Sequence, residues 1–445
     1  MSEIRVAVTG ELEDLSSAVL SRLTDRRVDP DGSVAQNVRE IIERVRRDGD
    51  DALRDLSERF DGVRLTDFSI ARRDWRSALG TLAADTRDAM RRAARNIARA
   101  HAAWLPVRSE IEVERGVRIT RRPVALARVG VYAPGGRASY LSSVLMGVVP
   151  ARVAGVREIV VCSPPTSNGR PSASVMAAAE IAGATQLFAV GGAGAIAALA
   201  LGTESIPRVD CIVGPGNAYV TEAKLQLMRT VRTDVAAGPS EIVIVADDTA
   251  DLSAVAAELC AQAEHGPDSA VVAVLVGAGL TARLEAALEL LVPTLERADV
   301  ICAALASRGA LLQAQTIDAA LMFADAYAPE HLMIATRDAA RYAERPAHAG
   351  TVFVGLTSSA TFGDYITGAN HVLPTSGGAR THSGLATESF MRWITIQAVD
   401  EHAAQRLAPF ASSLARAEGL LAHSAAAQRA APRRCGADAL SEMEA

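Results

Sequence analysis

The chain has 445 residues, about half of them hydrophobic and dominated by Ala, Val and Leu, with few aromatics and a formal net charge of −6. That length allows two to four domains with sizeable cores, and the mild, dispersed charge argues against a nucleic-acid partner. Five scattered cysteines without CxxC spacing fit a reduced, cytoplasmic interior, the N-terminus shows no apolar signal core, and the longest apolar stretch, near residues 270–280, is too short to span a membrane.

Residues 34 to about 110 read as helices, with Val38, Ile41, Ile42, Val45, Leu53 and Leu56 at helical spacing and a break at Asp48-Gly49-Asp50. From about 116 the period changes, and Val117, Ile119 and residues 124–131 predict strands ending in the turn Tyr132-Ala-Pro-Gly-Gly136. The arginines between Arg115 and Arg128 read as a solvated face. Residues 137–245 alternate: strands at 158–162, 186–190, 210–213 and 241–246, helices at 175–182, 193–201 and 218–227. This is the pattern of a parallel α/β sheet. Its Gly turns (Gly191-Gly192, Gly214-Pro-Gly-Asn217, Gly238-Pro-Ser240) mark strand ends, and such sheets bind ligands at carboxyl ends. A second α/β unit follows, with a helix at 251–265, a strand at 270–276, a helix at 281–291 and a strand at 350–354. From about 386 the chain reads as helical, and from about 428 as a frayed tail. The fold class is therefore α/β, with two Rossmann-like parallel-sheet domains and helical N- and C-terminal extensions. The expected division is an arm over 1–33, a first domain over 34–134 plus 242–385, an inserted second domain over 135–241, a helical segment over 386–430 and a disordered tail over 431–445.

Four of the eight histidines stand in short polar segments within apolar surroundings: Gln262-Ala-Glu-His265-Gly-Pro, Pro329-Glu330-His331, Asp364 to His371, and Glu418 to His423. Buried unpaired, such side chains cost free energy, which points to a built site. Gln262 and His265 are three residues apart at a helix end, on one face and at the negative end of the dipole. With Asp364 and His423 they offer two imidazoles, a carboxylate and an amide oxygen, a mixture that suits zinc, or cobalt or manganese at higher coordination. Each alone has a plainer reading: a C-terminal His bonding the last carbonyls, an Asx turn at Asp364, a surface turn at Glu330. Glu330 beside His331 offers two proton-transfer groups with separable pKa values. Gly192-Ala-Gly194-Ala-Ile-Ala197 matches GxGxxA, but Asp210 begins the next strand where a ribose-binding acid would end it, so tight helix–strand packing is the better reading.

The segments Val131-Tyr-Ala-Pro-Gly-Gly136, Ser142-Ser-Val-Leu-Met146, Gly214 to Lys224, Ala237-Gly-Pro-Ser240-Glu241 and the four polar segments together resemble histidinol dehydrogenase, in order, over roughly residues 34–428. The resemblance implies oxidation of L-histidinol to L-histidine through L-histidinaldehyde in two NAD-dependent steps, with one zinc per site. It implies zinc ligands at Gln262, His265, Asp364 and His423, and a proton-transfer pair at Glu330 and His331. It places substrate contacts at Ser142, Ser240, His371 and Glu418, and cofactor contacts at Tyr132, Asn217 and position 194. It further implies a homodimer with a shared active site, contacting through the C-terminal segment. No cysteine lies in any motif, so aldehyde oxidation is expected through the hydrate, with Glu330 activating water and His331 taking the alcohol proton.

Two departures stand out: Gly194 replaces the family's cofactor-contacting Gln, and the tail after His423 differs from the usual ending. They keep open a paralogue that oxidises another small amino alcohol, polyol or sulfonated diol with zinc and NAD. A reading from another class is a zinc hydrolase or a non-catalytic binding protein.

Overall fold

The computed structural model describes residues 4–26, 32–135, 140–234 and 238–431. Its strands in chain order are β1 (Val8–Glu11), β2 (Ser109–Glu114), β3 (Val117–Ala125), β4 (Arg128–Tyr132), β5 (Glu158–Ser163), β6 (Gln186–Ala189), β7 (Cys211–Val213), β8 (Arg232–Thr233), β9 (Glu241–Asp247), β10 (Ala270–Val276), β11 (Gly309–Gln313), β12 (His331–Ala335), β13 (Thr351–Val354) and β14 (Met391–Val399).

Two sheets are parallel throughout, ordered β1-β11-β10-β9-β12-β13 and β6-β5-β4-β7-β8. In the first sheet the central strands are near-continuous apolar runs, Ile242–Ala246 in β9 and Ala270–Val276 in β10, because both faces are covered. Along β9, Ile242 and Ile244 join one core with Leu259, Leu284 and Leu305, while Val243 and Val245 join the opposite core with Phe323 and Leu321. That alternation is the two-residue period of a strand, and each side chain so buried contributes about 1.5–3 kcal/mol.

The α/β class with two parallel sheets is as expected, and so is the break in the first long helix. Inside Gly32–Asp61, Gly49 is non-helical (φ 51, ψ −126), where a Cβ would fall 2.4 Å from the Glu204 carboxylate. The neighbouring Asp50 N–H donates to that carboxylate at 2.8 Å. The N-terminal segment expected to be an arm supplies β1, paired with β11 at the edge of the first sheet.

Contacts divide the chain into two units: Met1–Leu105 with Leu126–Phe390, which holds both parallel sheets, and Pro106–Ala125 with Met391–Ala445. The second unit corrects one expectation. Residues 391–399 are not helical but form β14, antiparallel to β3 over nine residue pairs in a β14-β3-β2 sheet. Trp393, Ile394, Thr395 and Ile396 favour a half-buried pleat, yet the partner strand lies some 270 residues earlier, beyond any local pattern. The helices Glu401–Ala417 and Leu421–Ala430 follow. The expected tail falls almost wholly on 432–445, outside the described residues.

Candidate active site

The sharpest cluster of buried polar groups lies at the amino ends of β9 and β12, the two strands between which the order of the first sheet reverses. The helix Ile317–Tyr327 ends at Ala328, a non-glycine residue in the left-handed region (φ 54), a conformation that persists only where surroundings enforce it. Pro329 then leads into Glu330 and His331, both buried. Glu330 Oε2 accepts the Glu241 backbone N–H at 2.8 Å and lies 3.6 Å from His331 Nδ1. That nitrogen is 3.1 Å from both the Glu241 carbonyl and Gln262 Nε2, so one contact or the other is a hydrogen bond according to the tautomer. His331 Nε2 is 3.4 Å from Asp364 Oδ1 without hydrogen-bond geometry, and is buried with no bonded partner.

These groups shift one another's protonation. Burial pushes Glu330 up to about 7 against the opposing pull of His331. Burial alone would depress His331, but the facing carboxylates of Glu330 and Asp364 outweigh it and raise the imidazole to about 9. Burial also opposes ionisation of Asp364, and His331, His371 and His265 reverse that, leaving it below the usual carboxylate range.

Gln262 is buried near the end of the helix Leu252–Ala263, and His265 follows the helix end. Burial lowers the His265 pKa, so its imidazole is neutral, and the Asp364 charge acts on it. Asp364 sits on the short helix Ala360–Tyr365 rather than in the expected loop. The Asp364 carbonyl accepts His371 Nδ1–H at 2.9 Å, turning Nε2 of His371 into the free acceptor. Asn370, its neighbour, donates to the Met146 carbonyl at 2.8 Å. That bond ties this loop to the helix Leu141–Val153, which carries the buried Ser142. Ser240 immediately precedes Glu241 at the mouth of β9. Glu418 and His423 are exposed side chains of the second unit.

Among the described residues no group of three His, Cys, Asp or Glu side chains is arranged to hold a metal. His265 and Asp364 are two such groups within electrostatic reach of each other, and the Gln262 amide lies against His331 Nδ1 at 3.1 Å. As chemistry the set still fits zinc: a neutral imidazole, an ionised carboxylate and an amide beside an unbonded buried nitrogen.

The cofactor candidates gather elsewhere. In the second sheet the chain runs β4, β5, β6 to one side and then β7, β8 to the other, so the crevice opens at the carboxyl ends of β4 and β7. Tyr132 ends β4, and its buried hydroxyl accepts the Gly192 N–H at 3.1 Å; burial pushes its pKa up to about 12. Asn217 caps the helix Ala218–Leu227, its side chain accepting from the N–H groups of Tyr219 and Val220. Gly194 is buried, and a Cβ there would meet Leu56 at 3.1 Å and Leu53 at 3.5 Å. The small residue serves packing between two helices, and any cofactor contact at 194 is left to the backbone.

Reasoning from sequence assigned no role to Arg26, Glu241, Lys224 or Asp234. Only Glu241 carried a signal, a carboxylate opening the apolar run Ile242–Ala246; Arg26, Lys224 and Asp234 stand in polar sequence that does not mark them.

A family model described as histidinol dehydrogenase matches residues 24–430. The chain belongs to the histidinol dehydrogenase family. It is 42% identical to the histidinol dehydrogenase of Xylella fastidiosa (strain 9a5c) over 400 residues, covering 88% of this chain and 93% of that one. It is 43% identical to that of Methanothermobacter thermautotrophicus over 411 residues, covering 92% and 96%. The crystal structure of histidinol dehydrogenase from Elizabethkingia anophelis superposes with a TM-score of 0.92 at 32% identity, covering 97% of this chain and 99% of that chain.

Proposed function

We propose that the protein oxidises L-histidinol to L-histidine, the end of histidine biosynthesis, in two NAD-dependent steps through L-histidinaldehyde. The observation that carries this reading is the buried Glu330–His331 pair facing Asp364 and Gln262, set in a family member whose family model spans nearly the whole chain.

Gln262, His265 and Asp364 would hold a zinc ion, with His423 of a second copy of the chain as the fourth ligand. When bound, zinc orients the imidazole and amine of the substrate and polarises them. His331, in its neutral form, would accept the proton of the substrate alcohol, and NAD, when bound, would supply the hydride acceptor. Glu330, as carboxylate, would take a proton from the water that hydrates the aldehyde, preparing the hydrate for the second oxidation. Buried Cys260, nearest to the cluster in sequence, is pushed up to about 12 by burial, so it supplies no thiolate for a thioester route. Ser142, Ser240 and His371 would contact substrate, joined by Glu418 from the second copy, while Tyr132, Asn217 and the backbone at Gly194 would line the cofactor site.

A homodimer is supported by the second unit, which exposes the large apolar side chains Ile111, Val113, Trp393, Ile396, Phe410, Leu414 and Leu421. Among the described residues no helix is long and apolar enough to cross a membrane, in keeping with a cytoplasmic biosynthetic role. Gly194 favours a second reading, a paralogue acting on another small alcohol. The deciding experiment counts NADH formed per L-histidinol consumed, with and without chelation. Two NADH, lost on chelation and restored by zinc, support the proposal. No NADH from zinc-loaded protein would overturn it in favour of the paralogue.

A further inference from the structure

Lys224 is the only lysine in the sequence; every other member of its 46 Lys and Arg residues is arginine. Among the described residues it and Arg26 are the two buried members of that set, and it is 3% exposed. Its ammonium donates to the Gly214 carbonyl and, at 2.5 Å, to Asp234 Oδ1. Asp234 Oδ2 accepts the Gly214 N–H at 2.6 Å. One buried ion pair thus grips both polar backbone groups of a single residue.

That residue sits at the crevice of the second sheet. Gly214 has φ 118, and a Cβ on it would fall 2.1 Å from the Tyr132 carbonyl oxygen. The turn it opens runs through Pro215 and Gly216 to Asn217, the cap of the following helix. The backbone of Gly214 is therefore fixed from two sides, by the end of β4 and by the Lys224–Asp234 pair. An ammonium presents three donors at one point, whereas a guanidinium is a wide planar fork that needs more room and more acceptors. The enclosed space between Gly214 and Asp234 matches the former.

We propose that Lys224, acting through Asp234, is a positioning residue that holds the Gly214–Asn217 turn in the shape that receives a dinucleotide. This rests on the NAD reading above. The pair touches no reacting atom; it sets the backbone at the switch point.

The test is titration of the full-length, zinc-loaded protein with NAD by calorimetry, for the wild type and for Lys224→Arg, Lys224→Met and Lys224→Met/Asp234→Asn. The expected result is NAD affinity about tenfold or more weaker in both single variants, with zinc content and KM for the alcohol unchanged. The double variant, which leaves no buried charge unpaired, should regain thermal stability over Lys224→Met without regaining NAD affinity. A single variant that folds and binds NAD as tightly as wild type would overturn the proposal. If neither single variant folds, wild-type affinity in the double variant overturns it and weakened affinity upholds it. Wild-type protein that binds no NAD would overturn the cofactor reading and the clamp together, a result distinct from failure of the clamp alone.

Discussion

Arg26 and Glu241 form a buried two-point ion pair, Nε to Oε1 at 2.9 Å and Nη2 to Oε2 at 3.1 Å. Arg26 also donates to the Tyr327 carbonyl at 3.0 Å and stacks over the Tyr327 ring at 3.4 Å. Glu241 in turn presents its backbone N–H to Glu330 and its carbonyl to His331, and its side chain accepts the Ser376 N–H at 2.9 Å. One guanidinium thereby braces the start of β9 and the end of the helix that leads into the proton-transfer pair.

Replacing Arg26 by Met should leave the Glu241 carboxylate buried and unpaired, a loss of about 3–5 kcal/mol. Arg26→Lys should recover only part of this, since an ammonium cannot reproduce the two-point geometry. Urea unfolding checks the first statement. Turnover measured well below the unfolding midpoint checks the second consequence, a lower kcat from a displaced Glu330. Wild-type kcat in a folded Arg26→Met variant would remove the brace from the account.

Much of the fold was legible because parallel strands covered on both faces are local signals. The runs at 158–162, 241–246 and 270–276 needed no knowledge of their partners. β14 was not legible, because its pleat is stabilised by β3, far away in sequence, and the helices after it dominate the local period. The site was legible to the extent that polar side chains stood out in apolar runs, as at Glu330-His331. What could not be read was partnership: that the backbone of Glu241 serves both members of the pair, or that Gly194 faces Leu53 and Leu56 rather than a strand.

Glu330→Gln should keep fold and metal and slow turnover, most strongly in the aldehyde step, where water must lose a proton. A general base contributes typically ~10²–10⁴-fold. Single-turnover traces with L-histidinol and with L-histidinaldehyde separate the two steps. Equal rates for wild type and variant would exclude Glu330 from the chemistry.

Activity should rise with pH. Bases act deprotonated, Glu330 is raised to about 7 and His331 to about 9, so the rate climbs through neutral pH and continues into the alkaline range. The two groups face each other, so the apparent values belong to the pair. A kcat/KM profile from pH 6 to pH 10 shows this, and in Glu330→Gln the lower limb should vanish. A profile that falls over this range would contradict the assignment.

His265→Ala and Asp364→Ala should each lose bound zinc and activity together, because each removes one of the two ionisable ligands that one chain would give to its own site. Metal analysis after gel filtration measures it. Full zinc occupancy in either variant would move the metal elsewhere.

His101 carries the last prediction. It is fully buried on the helix Ala84–Ala103, neither ring nitrogen has a hydrogen-bond partner, and the ring meets Trp104 edge-on at 5.2 Å. Burial depresses its pKa to about 4, against an ordinary value near 6.5. The unfolded chain therefore binds the proton first on acidification. The neutral ring costs no stability above about pH 6.5, and stability falls as pH drops from there to about 4, by roughly 3 kcal/mol in all. His101→Phe keeps an aromatic ring against Trp104 and cannot titrate, so its melting temperature should fall less between pH 7 and pH 5 than that of the wild type. Parallel melting curves for the two proteins would place the acid sensitivity in other groups.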